Sequence, residues 1–287
     1  MMEFQPKFEE YKNAVDGYLY STFNNKEGKI YDAMRYSLFA GGKRIRPVLA
    51  LACCDALEGN KSDAIILGSA IEMIHTYSLI HDDLPCMDND DYRRGKPTCH
   101  KAFDEATAVL AGDALLNFAC ESVAFSSLND NLKIKALQII FQASGSEGMI
   151  GGQVLDMLYE KVKPDREMLE TLHRKKTGAM IKASASVGAL SAGADADLFK
   201  EYSEALGLAF QIKDDILDVE GSFTKFGKPI NSDEKNNKTT FVTLYGIDGA
   251  KEMLKSETEK AISSIAFLGE KSRFLEKFAL YLLERES

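Results

Sequence analysis

Apolar and small residues recur every three or four positions along most of this chain, as they do from Ile65 to Thr76. This spacing places them on one face of an α-helix, whereas strict alternation, the pattern of a half-buried strand, is scarce. Short polar breaks separate segments that are rich in helix-forming residues. The pattern predicts an all-α protein of ten or more helices, with the clearest helical segments at 101–125, 132–143, 166–191, 197–219 and 248–285.

The 287 residues contain no fixed-period repeat and no Gly/Ser-rich or Pro-rich linker between halves of different composition. A single domain over residues 1–287 is therefore expected. A polar segment from Gly221 to Asn237 contains Gly and Pro and is longer than most helix connections. Loops of this length are usually functional or mobile, and a disordered surface loop is the alternative interpretation.

With 45% hydrophobic and 28% charged residues, the composition is that of an ordinary globular protein. The net charge of −9 argues against general attraction to nucleic acid or to anionic lipid, so an anionic ligand must meet a local group of basic residues. No apolar run approaches the roughly 20 residues of a membrane span, and no secretory signal pattern is present. The cytoplasm is the expected location, with the five cysteines as reduced thiols.

Carboxylates are concentrated in two short segments. The first follows an apolar stretch and has five aspartates within residues 82–91. Because Pro85 interrupts helical hydrogen bonding, this segment is expected to begin on a helix and to end in a loop. In the second segment, Asp214 and Asp218 are four residues apart and share one helix face, with Asp215 beside them.

Carboxylates at this helical spacing repel one another, by roughly 0.2–0.5 kcal/mol per exposed pair. A bound cation removes the repulsion. Mg²⁺ is the natural candidate, because it prefers hard oxygen ligands and joins one or two carboxylates to the phosphate oxygens of a substrate. Taken alone, either segment is also explained by solvated acidic turns or helix caps.

Basic residues collect beside these carboxylates and beside glycine. Lys43, Arg44 and Arg46 follow a Gly pair and precede a helical run, where side chains and free backbone N–H groups can hold phosphate together. The spacing is not that of a phosphate-binding P-loop. His75 and His81 lack a third zinc ligand at a recognised spacing, so hydrogen-bonded or phosphate-facing roles are expected for both. Solvated helix ends are the alternative for each basic cluster, the others being 93–96, 175–178, Lys228 and Lys238.

Together these residues resemble the trans-isoprenyl diphosphate synthase family, and within it the bacterial farnesyl diphosphate branch. The first aspartate motif, Asp82, Asp83 and Asp88, has the DDxxxxD spacing of that branch, and the second is DDxxD at 214–218. The matching landmarks extend over nearly the whole chain, in the family's order. They are GGKRIRP at 41–47, residues 72–100, LAGDALL at 110–116, GGQVLD at 151–156, KTGAMI at 176–181, FQIKDDILD at 210–218 and GK at 227–228.

The resemblance implies an isoprenoid-synthase-type bundle of helices around a deep central cavity, with the two aspartate motifs facing each other, usually in a homodimer. It also implies three Mg²⁺ ions per active site, with Mn²⁺ as an alternative ion. These ions bridge an allylic diphosphate to Asp82, Asp88 and Asp214, while Asp83 and Asp218 complete the metal-binding set.

The implied reaction is the head-to-tail condensation of isopentenyl diphosphate with dimethylallyl or geranyl diphosphate to give farnesyl diphosphate. Loss of the allylic diphosphate leaves a cation, which the isopentenyl double bond attacks. By resemblance, Arg93, Lys176, Lys228 and Lys238 stabilise the leaving group. Gly42, Lys43, Arg46, His75 and Arg94 bind isopentenyl diphosphate without metal, and Thr177 and Gln211 face the cationic carbon.

Product length is expected to depend on the residue that closes the pocket below the first aspartate motif. Tyr77 precedes Asp82 by five residues, about 7.5 Å along an ideal helix. By resemblance, a bulky aromatic there favours a fifteen-carbon product over the twenty carbons of a geranylgeranyl diphosphate synthase. Ser78 shares the helix face of Asp82 more closely, since Tyr77 is about 140° around the helix, so helix geometry alone does not choose between them.

Two other functions share some of these features. A helical metal-dependent phosphohydrolase could use His81 and Asp82, although the paired aspartate motifs and scattered cations fit it poorly. An inactive subunit of a heteromeric prenyl synthase typically lacks one aspartate motif, and both are intact here. The polar segment 221–238, with Lys228 and Lys238, is expected to become ordered when both diphosphates are bound.

Overall fold

The computed structural model describes residues 4–220 and 239–284. Nearly all of the regular structure in these ranges is helical, which confirms the predicted all-α fold. The strands described are a two-residue antiparallel pair, β1 (Tyr92–Arg93) and β2 (Lys96–Pro97). This small hairpin directly follows the first aspartate motif. The segment 221–238 and its two lysines lie outside the described residues.

Two compact units are present. The first comprises residues 4–51 and 60–137 and is organised around one long helix, Lys61–Asp82, which packs mainly against the helix Glu105–Ala124. Its elements are α1 (Phe4–Phe23), α2 (Lys29–Leu38), the beginning of α3 (Ile45–Ala56), α4 (Lys61–Asp82), β1, β2, α5 (Cys99–Ala102), α6 (Glu105–Ala124) and the beginning of α7 (Asp130–Ser144).

The second unit comprises residues 52–59, 138–220 and 239–284 and includes the ends of α3 and α7. Its central helix, Lys200–Glu220, packs against the helices Ala179–Ser191 and Phe241–Ser264, with Ile212, Ile216 and Phe241 in a shared core. Its further elements are α8 (Met149–Tyr159), α9 (Arg166–His173), a π-helical turn (Arg174–Gly178), α10 (Ala179–Ser191), α11 (Lys200–Glu220), α12 (Phe241–Ser264), a 3₁₀ helix (Ala266–Ser272) and α13 (Arg273–Glu284). The single domain expected over 1–287 stays a prediction.

Polar side chains mark where several helices begin. The Asn60 side chain accepts a hydrogen bond from the Ser62 N–H at the start of α4. At the start of α6, the Asp104 carboxylate accepts from Thr107 and pairs with Lys29 at 2.7 Å. The Lys29 ammonium and the Thr107 donors lower the pKa of Asp104 to about 2. These caps satisfy N–H groups that have no partner within the helix.

Two helices, α4 and α6, are long and apolar enough to span a bilayer by length and composition. Neither helix is an uninterrupted apolar run, because Glu72 lies within α4 and Asp113 within α6. In α4, 67% of the apolar window is buried inside the fold, and in α6 44%. Core helices of water-soluble proteins meet the same criterion, so these two helices are weak evidence for a membrane span.

Candidate active site

The first aspartate motif lies where α4 ends. Asp82 is the last residue of the helix and Asp83 caps it. After Pro85 the chain folds back, so that the Asp88 N–H donates a 2.8 Å hydrogen bond to the Asp82 carbonyl oxygen. The turn therefore returns Asp88, which helix geometry alone could not place, to the backbone of Asp82.

Asp83 has surroundings different from those of the other two members of the motif. Its side chain is 4% exposed, and the Arg93 guanidinium donates to both of its carboxylate oxygens, with Nε at 2.8 and 2.9 Å and Nη2 at 2.5 Å. Bidentate pairing fixes a carboxylate firmly. This arrangement favours a role for Asp83 in supporting its neighbours, with β1 supplying the arginine that holds it.

Arginines surround His75 in the first unit. Burial lowers the pKa of His75 well below its ordinary value, and Arg46 and Arg94 lower it further. Arg94 lies against the glycine pair: its guanidinium donates to the Gly41 carbonyl oxygen, and a Cβ on Gly42 would lie 2.7 Å from its Nη1. Five residues predicted to bind the substrate are thus brought together, namely Gly42, Arg46, His75, Arg93 and Arg94.

Loss of hydrating water lowers the pKa of Arg94, and the Arg44 and Arg93 guanidinium groups lower it further, against the opposing effect of the Glu72 and Asp83 carboxylates. A lowered arginine pKa reflects repulsion among cations and the loss of hydrating water. An anion with several oxygens would relieve that repulsion. The group of Gly42, Arg46, His75 and Arg94, which we call the cationic cluster, therefore has the electrostatic character of a diphosphate site.

Arg44 has a structural role that its place among the cations after the Gly pair does not indicate. It is 4% exposed, with Nε 2.8 Å from Asp16, Nη1 2.8 Å from Glu72 and Nη2 2.7 Å from the Leu38 carbonyl oxygen. All three nitrogens are thus used inside the first unit, and Arg44 anchors the loop that carries Lys43 and Arg46. The one sequence signal for this was Glu72, an acidic residue within the apolar run of α4.

Tyr77 and His81 pack together beside the first aspartate motif. Tyr77 is 5% exposed, and its ring meets the His81 ring edge to face at 5.8 Å. Burial, and secondarily the Asp82 charge, raise the pKa of Tyr77 to about 12. The His81 Nε2–H donates to the Val109 carbonyl oxygen at 3.0 Å, so the hydrogen-bonded interpretation of His81 is confirmed. Ser78 is half-buried and donates to the His75 carbonyl oxygen at 2.9 Å.

The second unit contains a cavity of about 190 Å³ next to the second aspartate motif. In its wall, the Gln211 Nε2 donates to Asp214 at 3.1 Å. The buried Thr177 hydroxyl, behind this wall, donates to the Gln211 Oε1 at 3.1 Å. Lys176 pairs with Asp156 at 2.6 Å. Four residues predicted to be catalytic are therefore neighbours here, namely Lys176, Thr177, Gln211 and Asp214.

The two other aspartates of the second motif differ from each other. Asp215 is 7% exposed and accepts a 2.7 Å hydrogen bond from the Phe241 N–H, so that it ties α11 to the start of α12. Asp218 is half-buried, one helical turn after Asp214 on the same face. Asp214 and Asp218 thus share a face, while Asp215 is directed into the fold.

Both motifs offer the hard oxygen donors that Mg²⁺ prefers. In the described ranges, no three His, Cys, Asp or Glu side chains are grouped closely enough to hold a metal ion by themselves. Mg²⁺ commonly binds one or two carboxylates and completes its coordination with water and substrate phosphate, so the Asp214 and Asp218 carboxylates on one helix face would suit it. Asp82 and Asp88 belong to the first unit and Asp214 to the second.

His173, next to Gln211 in the second unit, is expected to make stability depend on pH. Its burial lowers the pKa to about 4. Between pH 6.5 and 4 the unfolded chain binds a proton at this residue that the folded chain excludes, so stability falls as the pH falls. The loss reaches about 3 kcal/mol at pH 4 and is nearly complete below that pH.

Urea unfolding at pH 7, 6, 5 and 4 measures this contribution when the parent protein is compared with the His173→Asn variant. The variant should lose less stability over this range, because its side chain has no proton to gain. Equal pH dependence in both proteins would show that His173 is protonated equally in the folded and unfolded chains.

The sequence pattern of the family described as polyprenyl synthetase matches residues 27–271. A farnesyl diphosphate synthase of Micrococcus luteus is 44% identical over 279 residues, which cover 96% of each chain. A geranylgeranyl diphosphate synthase of Cyanophora paradoxa is 42% identical over 264 residues, covering 90% of this chain and 88% of the relative.

A solved structure supports the same family assignment. The crystal structure of a Helicobacter pylori geranyltransferase complexed with magnesium and isoprenyl diphosphate is similar to this fold, with a TM-score of 0.83 and 33% identity. The similarity covers 97% of both chains.

Proposed function

The chain belongs to the polyprenyl synthetase family and is a prenyl-transferring enzyme, and we propose that its product is farnesyl diphosphate. In the proposed reaction, isopentenyl diphosphate condenses head to tail with dimethylallyl diphosphate and then with geranyl diphosphate. Mg²⁺ is the proposed cofactor, at three ions per active site, with Mn²⁺ as an alternative ion. The relative from Micrococcus luteus, matched over 96% of both chains, supports this product.

The observation that carries the proposal is the position of the cationic cluster in the same compact unit as Asp82 and Asp88. His75 and Arg46 are on α4 and at the start of α3, and Arg94 is in the hairpin that follows the motif. A metal-free diphosphate site and a metal-dependent one are both needed to condense two diphosphates. A phosphohydrolase, which acts on one substrate, does not require a second, metal-free diphosphate site.

We assign the metal ions to Asp82, Asp88 and Asp214, with Asp83 and Asp218 as supporting carboxylates. When bound, Mg²⁺ neutralises the negative charge that develops on the departing diphosphate. Asp83 keeps its ion pair with Arg93, so this arginine acts on the site through the carboxylate that it orients. Lys176, paired with Asp156, adds positive charge beside Asp214. Lys228 and Lys238, which lie outside the described residues, are proposed to add further positive charge to the leaving diphosphate.

The chain's own groups can protect the allylic cation that forms. The Thr177 hydroxyl donates a hydrogen bond to Gln211, so its oxygen lone pairs remain available to face a positively charged carbon. Gln211 in turn donates to Asp214 and keeps that carboxylate oriented. The isopentenyl double bond then attacks the cation, and the released diphosphate accepts the proton that is lost. No side-chain nucleophile is required.

Incubation of the purified protein with Mg²⁺, isopentenyl diphosphate and dimethylallyl diphosphate tests the function. After phosphatase treatment, chromatography of the alcohols should show farnesol as the main product. Release of monophosphate without any prenyl alcohol would contradict the proposal. Geranylgeraniol as the main product would favour a twenty-carbon synthase, the alternative supported by the relative from Cyanophora paradoxa.

Product length should increase when Tyr77 is replaced. Because Tyr77 is buried beside Asp82, its ring is proposed to close the pocket that receives the growing chain. The Tyr77→Ala variant should make products of twenty carbons or more, measured by the same chromatography. Ser78→Ala tests the other candidate position, and Tyr92→Ala, which removes a 63% exposed ring, is the matched control.

An unchanged product distribution in Tyr77→Ala would remove Tyr77 as the residue that limits chain length. A longer product from Ser78→Ala alone would move that role by one position along α4. We further propose that the protein forms a homodimer in the cytoplasm and spans no membrane. Light scattering of the purified protein measures the oligomeric state.

A further inference from the structure

His173 occupies a defined place behind the second aspartate motif. It is the last residue of α9, directly before the π-helical turn, and its ring is largely buried. The ring stacks on Phe241 at 5.4 Å with an interplanar angle of 26°. Its Nδ1 lies 3.1 Å from the Gln211 Oε1. Two contacts of different kinds therefore hold the ring, one apolar and one polar.

The hydrogen bonds of Gln211 determine which ring nitrogen carries the proton. An ionised carboxylate accepts only, so the Gln211 amide must turn its NH₂ group toward Asp214 and its oxygen toward His173. Since an amide oxygen also accepts only, the His173 Nδ1 must be the donor. The Nε2 is then an acceptor, and it has no hydrogen-bond partner in the described part of the chain.

We propose that His173 is a positioning residue, which holds the Gln211 amide in the one orientation that directs a donor at Asp214. This inference rests on the proposed function, because it assigns His173 to the metal-binding carboxylate of that site. Thr177 donates to the same amide oxygen from one helical turn further along the chain. The two donors hold the amide together, so the loss of His173 leaves only the Thr177 hydroxyl and weakens the preference for this orientation.

A structural role alone does not explain why this side chain is histidine. Burying an unpaired Nε2 costs free energy, which an apolar ring of the same size on Phe241 would avoid. Burial also lowers the pKa of the imidazole to about 4, so the ring is neutral at physiological pH and adds no charge beside Lys176. What distinguishes histidine from a phenylalanine here is the single N–H donor aimed at Gln211.

Two variants separate positioning from packing. His173→Asn keeps an N–H donor near the place of Nδ1, and His173→Leu fills much of the space without a donor. Binding of inorganic diphosphate in the presence of Mg²⁺, measured by titration calorimetry, gives a readout that is independent of turnover. The leucine variant should bind about tenfold more weakly and lose about tenfold in kcat, whereas the asparagine variant should stay within about threefold of the parent.

Equal losses in both variants, with thermal unfolding that shows both to be folded, would overturn the proposal, and so would parent-like binding by the leucine variant. If His173→Leu does not fold, His173→Phe replaces it, because phenylalanine retains the stack on Phe241 and lacks the donor. Failure of the proposed function is distinguishable. In that case the parent protein itself would show no Mg²⁺-dependent binding of diphosphate and no prenyl product.

Discussion

Replacement of Asp214 by asparagine is expected to lower kcat for prenyl transfer by about 10³-fold, with a smaller change in KM. Asparagine has the size of aspartate but lacks the charge that binds a divalent ion. It also presents the Gln211 Nε2 with a weaker acceptor, which loosens the contact observed at 3.1 Å. The lost interaction matters most when charge develops on the departing diphosphate, so turnover is affected more than binding.

The matched control is Asp248→Asn, which removes an exposed carboxylate from α12 in the same unit. It should leave kcat within about twofold, because a distant exposed charge is screened by solvent and salt. Asp82→Asn should reproduce the loss expected for Asp214→Asn if the two motifs act on one substrate. A loss smaller than tenfold in either motif variant would contradict the assignment of that aspartate to the metal.

Replacement of Arg44 by methionine should destabilise the protein by about 3–5 kcal/mol, the largest effect on stability that this structure predicts. The substitution leaves Glu72, whose side chain is 3% exposed, as an unpaired buried charge. It also removes the donors to Asp16 and to the Leu38 carbonyl oxygen. The free energy of unfolding in urea measures the loss.

Two further variants test the cause of this destabilisation. Arg44→Met combined with Glu72→Gln should recover part of the lost stability, because no buried charge is then left unpaired. Arg273→Met is the control, since Arg273 and its partner Glu270 are 66% and 81% exposed, and such pairs contribute 0–1 kcal/mol. If Arg44→Met cost no more than this control, Arg44 would not be the anchor of the loop.

Helix positions were predictable wherever a long amphipathic pattern ended at polar turn residues. The segment predicted at 166–191 coincides with the continuous run of α9, the π-helical turn and α10. The segment predicted at 248–285 is instead interrupted by the 3₁₀ helix at Ala266–Ser272. Gly269 adopts a φ of 56° there, and a single glycine within an apolar pattern gives too little signal to predict such a break.

The residue types of the candidate site were predictable from sequence. Which charged side chains face the site and which form structural ion pairs was not. Arg44 and Arg46 are two positions apart, yet Arg44 forms a buried ion pair with Glu72 and Arg46 lies beside His75. Asp214 and Asp215 are adjacent, yet Asp214 accepts a hydrogen bond from Gln211 beside the cavity and Asp215 is buried against the Phe241 N–H. Neighbouring residues on a helix or a loop point in different directions, and only tertiary packing decides which of them is buried.

His173 illustrates the same limit. In the sequence it precedes the KTG segment without any spacing that marks it as a partner of Gln211, which is 38 residues further along the chain. The contact depends on α9 and α11 packing against each other, a long-range feature. Physical reasoning from local pattern finds the carboxylates and cations of such a site, and misses the neutral groups that orient them.

A crystal structure with Mg²⁺, isopentenyl diphosphate and an unreactive analogue of dimethylallyl diphosphate would test the central claim most directly. We predict metal ions that bridge one diphosphate to Asp82, Asp88 and Asp214, with the second diphosphate held by Arg46, His75 and Arg94. Ions bound to only one aspartate motif, with the other motif making no contact to either diphosphate, would contradict the account.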